Sequence, residues 1–168
     1  MTMMDEKTTG DVAEPSSSGR IDRDTWVVGL DGSDCATNAL EWAASNVEGR
    51  ASSIELVTAW QTPVAGAYPM SSPVTVVIDD TELHDAAAHD VAEVAAQFGQ
   101  RLTLPVTASV GHGGPAQVLL EASESAALLV IGSRGRGGFA RLLLGSTSTQ
   151  CATHASVPTI VVPGDAEP

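Results

Sequence analysis

With 168 residues, 43% apolar and 17% charged, the chain suits one globular domain with a real core rather than a disordered polymer. Eight Lys and Arg against 21 Asp and Glu leave a net charge of −13, so most of the surface repels phosphate backbones and nucleic acid is a poor partner. No apolar run nears the roughly 18 residues of a membrane span, and the first ten residues lack the apolar stretch of a secretory signal. Cys35 and Cys151 are too few and too separated for a disulfide framework or a metal knuckle, so a reduced, cytoplasmic protein is expected.

In chain order, Met1 to about Asp24 is polar, acidic and seeded with Pro15, Ser16, Ser17, Ser18 and Gly19; it reads as a disordered tail (residues 1–24) ahead of one domain over 25–168. Strands are expected at Trp26–Leu30, Ile54–Trp60, Val106–Val110, Leu128–Ile131 and Thr159–Val162. Most of these runs are continuously apolar, as strands covered on both faces are. The first helix between them spans about Ser33–Val47, with Leu40, Ala43, Ala44 and Val47 on one face. The second, about Thr81–Phe98, repeats apolar residues at helical spacing from Leu83 to Phe98. The third opens at Pro115, a residue suited to a first turn, and carries Val118, Leu119 and Ala122. The last spans about Ser146–His154. This alternation predicts an α/β fold: a five-stranded parallel sheet, doubly wound, with helices on both faces. The Pro/Gly/Ser-rich connection 61–79, with its apolar run Val74–Ile78, reads equally as a flap or a short extra strand.

In such a sheet, ligands bind beyond the carboxyl ends of the strands, where the strand order reverses. Two strand ends carry unusual loops. Asp31-Gly32-Ser33-Asp34 opens straight into the first helix. Gly132–Gly145 holds five glycines, three arginines (Arg134, Arg136 and Arg141) and no acid within 14 residues. A cationic stretch on an acidic chain suits a polyanionic small ligand. Glycines allow close backbone approach and positive φ, so that successive N–H groups converge on an anion. Gly145-Ser146-Thr147 then opens the last helix, whose free N–H groups and dipole favour phosphate; the plainer role for Ser146 is an N-cap. A loop that only turns needs fewer residues.

A Walker P-loop is excluded, because the only lysine is Lys7. Gly135-Arg136-Gly137-Gly138-Phe139-Ala140 matches G-x-G-x-x-A, but that fingerprint belongs in the first β-α turn with an acid about 20 residues later, so the match is fortuitous. His84 and His89, five apart on one helix, have the wrong spacing for one-face ligation and read as solvated. His112 reads as a loop residue, and Cys35, Trp26, Trp42 and Trp60 as packing residues.

The spacing Gly132-x-x-Gly135, nine residues, then Gly145-Ser146 resembles the G-2x-G-9x-G-S/T signature of ATP-binding universal stress proteins. Val28-Gly29-Leu30-Asp31-Gly32-Ser33, Gly114-Pro115 and Pro158-Thr159-Ile160-Val161-Val162 extend the likeness from about Thr25 to Pro163. The resemblance implies ATP as ligand, with Mg²⁺. It implies that Asp31 lies beside the ribose, the phosphates and the metal, and that the backbone at Ala59 reads the adenine edge. It further implies a phosphate cradle of Gly132, Gly135, Gly145, Ser146 and Thr147, with Arg134 its cation, and a homodimer paired through Thr159–Val162. One departure is Ala127, where the family often has an acid; the position is away from the ligand.

The function expected from this is a nucleotide-gated regulatory module of the stress response. No lysine is available for a γ-phosphate and no base is poised for water, so hydrolysis is expected to be slow or absent. The enzymatic rival is an adenylating or ATP-cleaving member of the wider adenine-nucleotide α/β group, whose Gly-Gly-x-Asp-Ser and His-x-Gly-His types of motif are missing. A nucleotide-free interaction protein is the third reading, against which the intact glycine signature stands.

Overall fold

The computed structural model describes residues 24–62, 80–137 and 143–164. The tail over 1–23, the connection over 63–79 with its undecided apolar run, and residues 138–142 with Arg141 lie outside the described residues. In chain order the elements are β1 (Thr25–Gly29), α1 (Asp34–Asn46), β2 (Ser53–Trp60), α2 (Asp80–Gly99), β3 (Val106–His112), α3 (Pro115–Ser123), β4 (Leu128–Gly132), α4 (Ser146–His154) and β5 (Thr159–Val162).

The strands are rich in Val, Ile and Leu, and their central residues are buried from both sides. Val27, Val28, Ile54, Leu56, Val57, Leu129 and Val130 are all 1% exposed or less. All pairings are parallel, in the order β3-β2-β1-β4-β5. Helices α1 and α2 cover one face, packing Ala39, Leu40, Val91 and Phe98 onto Val28, Ile54 and Leu56. Helices α3 and α4 cover the other, where Val118, Leu119 and Cys151 meet Val27, Val57 and Leu129. Burial pushes the Cys151 thiol above its ordinary value, so it stays protonated and acts as a small apolar group. The chain leaves β1 toward β2 but leaves β4 toward β5, so a crevice opens between the carboxyl ends of β1 and β4.

Local chemistry fixes the element ends. Ser33 is the N-cap of α1 rather than its first residue, with Oγ accepting from the Ala36 N–H at 3.2 Å. Pro115 takes the first turn of α3, where its missing N–H costs nothing. Strand β3 runs past the expected Val110 to His112, because β2 extends far enough to pair Trp60 with His112. His112 is therefore a strand residue, its ring 4.5 Å from that of Trp60, and not a loop residue. His84 sets its edge against the same indole, so it is packed as well as partly solvated. Trp26 is buried and stacks on Trp42 at 5.9 Å. Ala127 sits before β4, its N–H donating to the Thr25 carbonyl at 2.8 Å, at the opposite end of the sheet from the crevice.

Candidate functional site

The crevice holds a cleft of about 480 Å³. Asp31, Ala59, Gly132, Arg134, Gly135, Gly145, Ser146 and Thr147, widely separated in sequence, all line it. Its two ends differ in chemistry. Val57, Ala59, Pro115, Leu119 and Ile131 make one end apolar, while the glycine loop and the start of α4 supply backbone N–H groups at the other.

Ala59 presents its backbone. The last β1–β2 pair is Gly29 with Val57, and the Leu30 N–H closes on the Val57 carbonyl at 2.8 Å. The polar groups of a strand alternate in direction, so those of Ala59 point the same way as those of Val57, toward a place β1 has already left. The Leu30 carbonyl, which would form the next rung, instead accepts from the Thr58 hydroxyl at 2.8 Å. Among the described residues the Ala59 N–H and C=O are thus left facing the cleft, an amide edge at its apolar end.

At the other end α4 begins. Its first intrahelical bond is Thr149 N–H to the Gly145 carbonyl at 3.0 Å, so the N–H groups of Ser146, Thr147 and Ser148 precede the ladder. Gly145, not Ser146, is the N-cap, and no side chain caps the helix. The plain capping role for Ser146 therefore falls, and its exposed hydroxyl stays in the cleft. Ser148, buried, fixes this start: its Oγ donates to the Ser133 carbonyl at 2.7 Å and lies 3.0 Å from the Gly145 carbonyl.

Asp31 ties the two loops together. Its Oδ1 accepts from the Ser33 N–H at 3.0 Å and the Ser33 hydroxyl at 2.6 Å, and its Oδ2 accepts from the Arg136 N–H at 3.3 Å. Oδ1 has both lone pairs engaged by Ser33, while Oδ2 keeps a second lone pair for a ligand. No group of three or more metal-binding side chains gathers among the described residues. Asp31 is the one carboxylate that the cleft lining offers a cation.

Gly132 and Gly135 work by space rather than by φ. Among the described residues only Gly32, Gly49 and Gly113 have positive φ; Gly132, Gly135, Gly137 and Gly145 do not. The expected left-handed conformations in the cradle are corrected to close approach. A Cβ on Gly132 would stand 2.6 Å from the backbone carbon of Cys35, and one on Gly135 would press on Asp31 Oδ2. Arg136, Ser33 and Ser148 were not among the expected ligand residues. Arg136 was visible as one of three clustered arginines; the serines act through loop geometry that spacing does not reveal.

The profile of the universal stress protein family matches residues 23–163. A universal stress protein of Mycolicibacterium smegmatis is 34% identical over 141 residues, 83% of this chain and 48% of the relative. One from Mycobacterium tuberculosis is 31% identical over 156 residues, 84% of this chain and 49% of the relative. The chain thus spans about half the length of these curated relatives. Among solved structures, a universal stress protein from Lactobacillus plantarum superposes with a TM-score of 0.65 at 22% identity, covering 83% of this chain and 97% of that one. A universal stress protein in complex with cAMP gives 0.59 at 21% identity, covering 84% and 97%. An Arabidopsis thaliana family member with AMP bound gives 0.54 at 16% identity, covering 84% and 92%.

Proposed function

The chain belongs to the universal stress protein family, and from that premise we propose that it is a regulatory module that takes up an adenine nucleotide, ATP with Mg²⁺ foremost. The observation that carries the reading is the cleft: an apolar end with a free amide edge at Ala59, joined to a glycine-lined end at the start of a helix. A purine needs an apolar slot and a donor–acceptor edge; a phosphate needs convergent N–H groups and a positive helix end. The cAMP and AMP complexes of similar folds lend support. Asp31 would be the carboxylate that holds a magnesium ion, and Arg134 would add positive charge to the cradle. The ion's contribution is to neutralise the phosphates.

Binding brings the β1–α1 turn and the glycine loop onto one ligand, and this is the gate through which nucleotide state reaches a protein partner. Hydrolysis is slow or absent in this reading, for want of a lysine and a poised base. The proposed setting is the cytoplasm; no helix of the described residues is long and apolar enough to cross a membrane.

The test is a calorimetric titration with ATP and GTP in the presence of Mg²⁺. ATP is expected to bind and GTP to bind more weakly, since its base presents a different edge to Ala59. Absence of heat with either nucleotide, in a protein that melts cooperatively, would sink the reading.

A further inference from the structure

We propose that Arg136 sets how many phosphates the site accepts, favouring a nucleoside triphosphate over a monophosphate; the inference rests on the nucleotide reading above. It begins from an electrostatic conflict inside the cleft. Asp31 is an acid in a site meant for anions, and each phosphate added to the ligand adds charge for it to repel. The N–H groups at the start of α4 are neutral donors from a single turn, enough to hold one phosphate near the ribose. A second and third phosphate carry the ligand onward along the glycine loop, where charge must be met by charge.

Arg136 occupies that position. It follows Gly135 in the loop, is exposed, and lines the cleft. Its backbone N–H holds Asp31 Oδ2 at 3.3 Å, and its guanidinium lies over Gly32, the residue after Asp31, where a Cβ on Gly32 would collide with Nη2. Gly32 has φ of +74°, so the turn both passes under the guanidinium and excludes the side chain that would displace it. Among the described residues the guanidinium itself holds no ion pair or hydrogen bond. Arg134 lines the cleft as well, but its Nη2 reaches the far side of the loop, 3.5 Å from where a Cβ on Gly164 would stand, beyond the end of β5. Arg136 is thus the cation on the Asp31–Gly32 turn, and it offsets a repulsion that grows with phosphate number. A guanidinium also matches phosphate oxygens two at a time, which a single ammonium cannot.

The experiment titrates the full chain with AMP, ADP and ATP at fixed ionic strength, without divalent cation, so that no metal can replace the missing charge. The parent protein, Arg136→Ala and Arg136→Lys are compared, each checked for an unchanged melting curve. The parent is expected to prefer ATP over AMP. Arg136→Ala is expected to lower ATP affinity by about tenfold or more while AMP affinity changes by less than about threefold, with Arg136→Lys recovering part of the loss. Equal losses for ATP and AMP, no loss for either, or a parent without preference would overturn the inference and leave nucleotide binding standing. A parent that binds none of the three refutes the nucleotide reading itself, and the inference with it.

Discussion

At Gly132 an added Cβ would meet the Cys35 carbonyl carbon at 2.6 Å and its oxygen at 2.7 Å, whereas at Gly145 the nearest atoms lie at 3.5 Å. The first contact is backbone and cannot move; the second is ordinary van der Waals distance. Gly132→Ala should therefore destabilise the fold by forcing α1 away from β4. Gly145→Ala should lower the melting temperature only modestly, since its φ of −78° suits any residue and alanine is a poorer N-cap than glycine by roughly 0.5–1 kcal/mol. If the cleft binds phosphate, Gly145→Ala nonetheless weakens nucleotide, because the methyl group stands at the mouth of the helix N-terminus. Equal nucleotide affinity in this variant would mean that Gly145 serves only the turn. At this scale the sequence was legible where residue type limits chemistry: the glycines, Arg134, Arg136 and the hydroxyls of Ser146 and Thr147 singled out in it come together in one cleft. It was silent on why each glycine is there, because steric neighbours such as Cys35 come from distant parts of the chain.

Among the elements, α1 is tied to the end of α2 by a two-pronged contact, with both Arg101 guanidinium nitrogens 2.9 Å from the Glu41 carboxylate oxygens and the guanidinium lying over the Phe98 ring at 4.6 Å. The Arg101 hydrogen bonds hold the Glu41 carboxyl below its ordinary value against a small opposing effect of burial. The folded protein therefore takes up this proton less readily than the unfolded chain. The stability it confers is present above the ordinary carboxylate range and is lost as pH falls through the lowered value. Glu41→Gln should melt slightly below the parent near pH 7, and the gap should close as pH falls through the lowered Glu41 value. A gap that persists in acid would assign the effect to packing. The pair is exposed, so the effect is small. Element order and type were legible because each strand is a short apolar run and each helix carries a 3.6-residue stripe. The ends were less so: β3 reaches His112 because β2 is there to pair with it, a fact of partnership that the run Val106–Val110 does not contain.

For the whole molecule, β5 forms one edge of the sheet, and its four residues are half-buried in the single chain. Ser133 N–H donates to the Val162 carbonyl and Leu129 N–H to the Pro158 carbonyl, so alternate residues of β5 face β4 and the backbone of Val161 faces the open edge. Pairing of this edge with its own copy about a two-fold axis is the proposed homodimer. Lysine at Val161 is a poor probe, because this side chain packs on the core beneath α3 and α4. Val161→Pro is cleaner, since it removes one outward N–H and spares the β4 ladder. Light scattering at micromolar concentration should give a dimer for the parent and a monomer for Val161→Pro; a monomeric parent would defeat the proposal. ATP at about 100 times its dissociation constant should add about 2.7 kcal/mol of stability, a rise of roughly 5–10 °C in melting temperature, read by thermal shift.

The central strand also dictates how the protein is born. β1 has one neighbour, β2, supplied soon after it, and another, β4, made roughly a hundred residues later, a separation that delays closure of the sheet. At 5–20 residues per second, a ribosome takes about 5–20 s to deliver the missing neighbour. Through that interval β1 has one sheet edge open, and Val27, among the most buried residues of the finished protein, lacks both β4 beside it and α4 on its face. Synthesis halted before β4 is accordingly expected to leave a fragment with an open apolar edge at β1, rather than a smaller working domain.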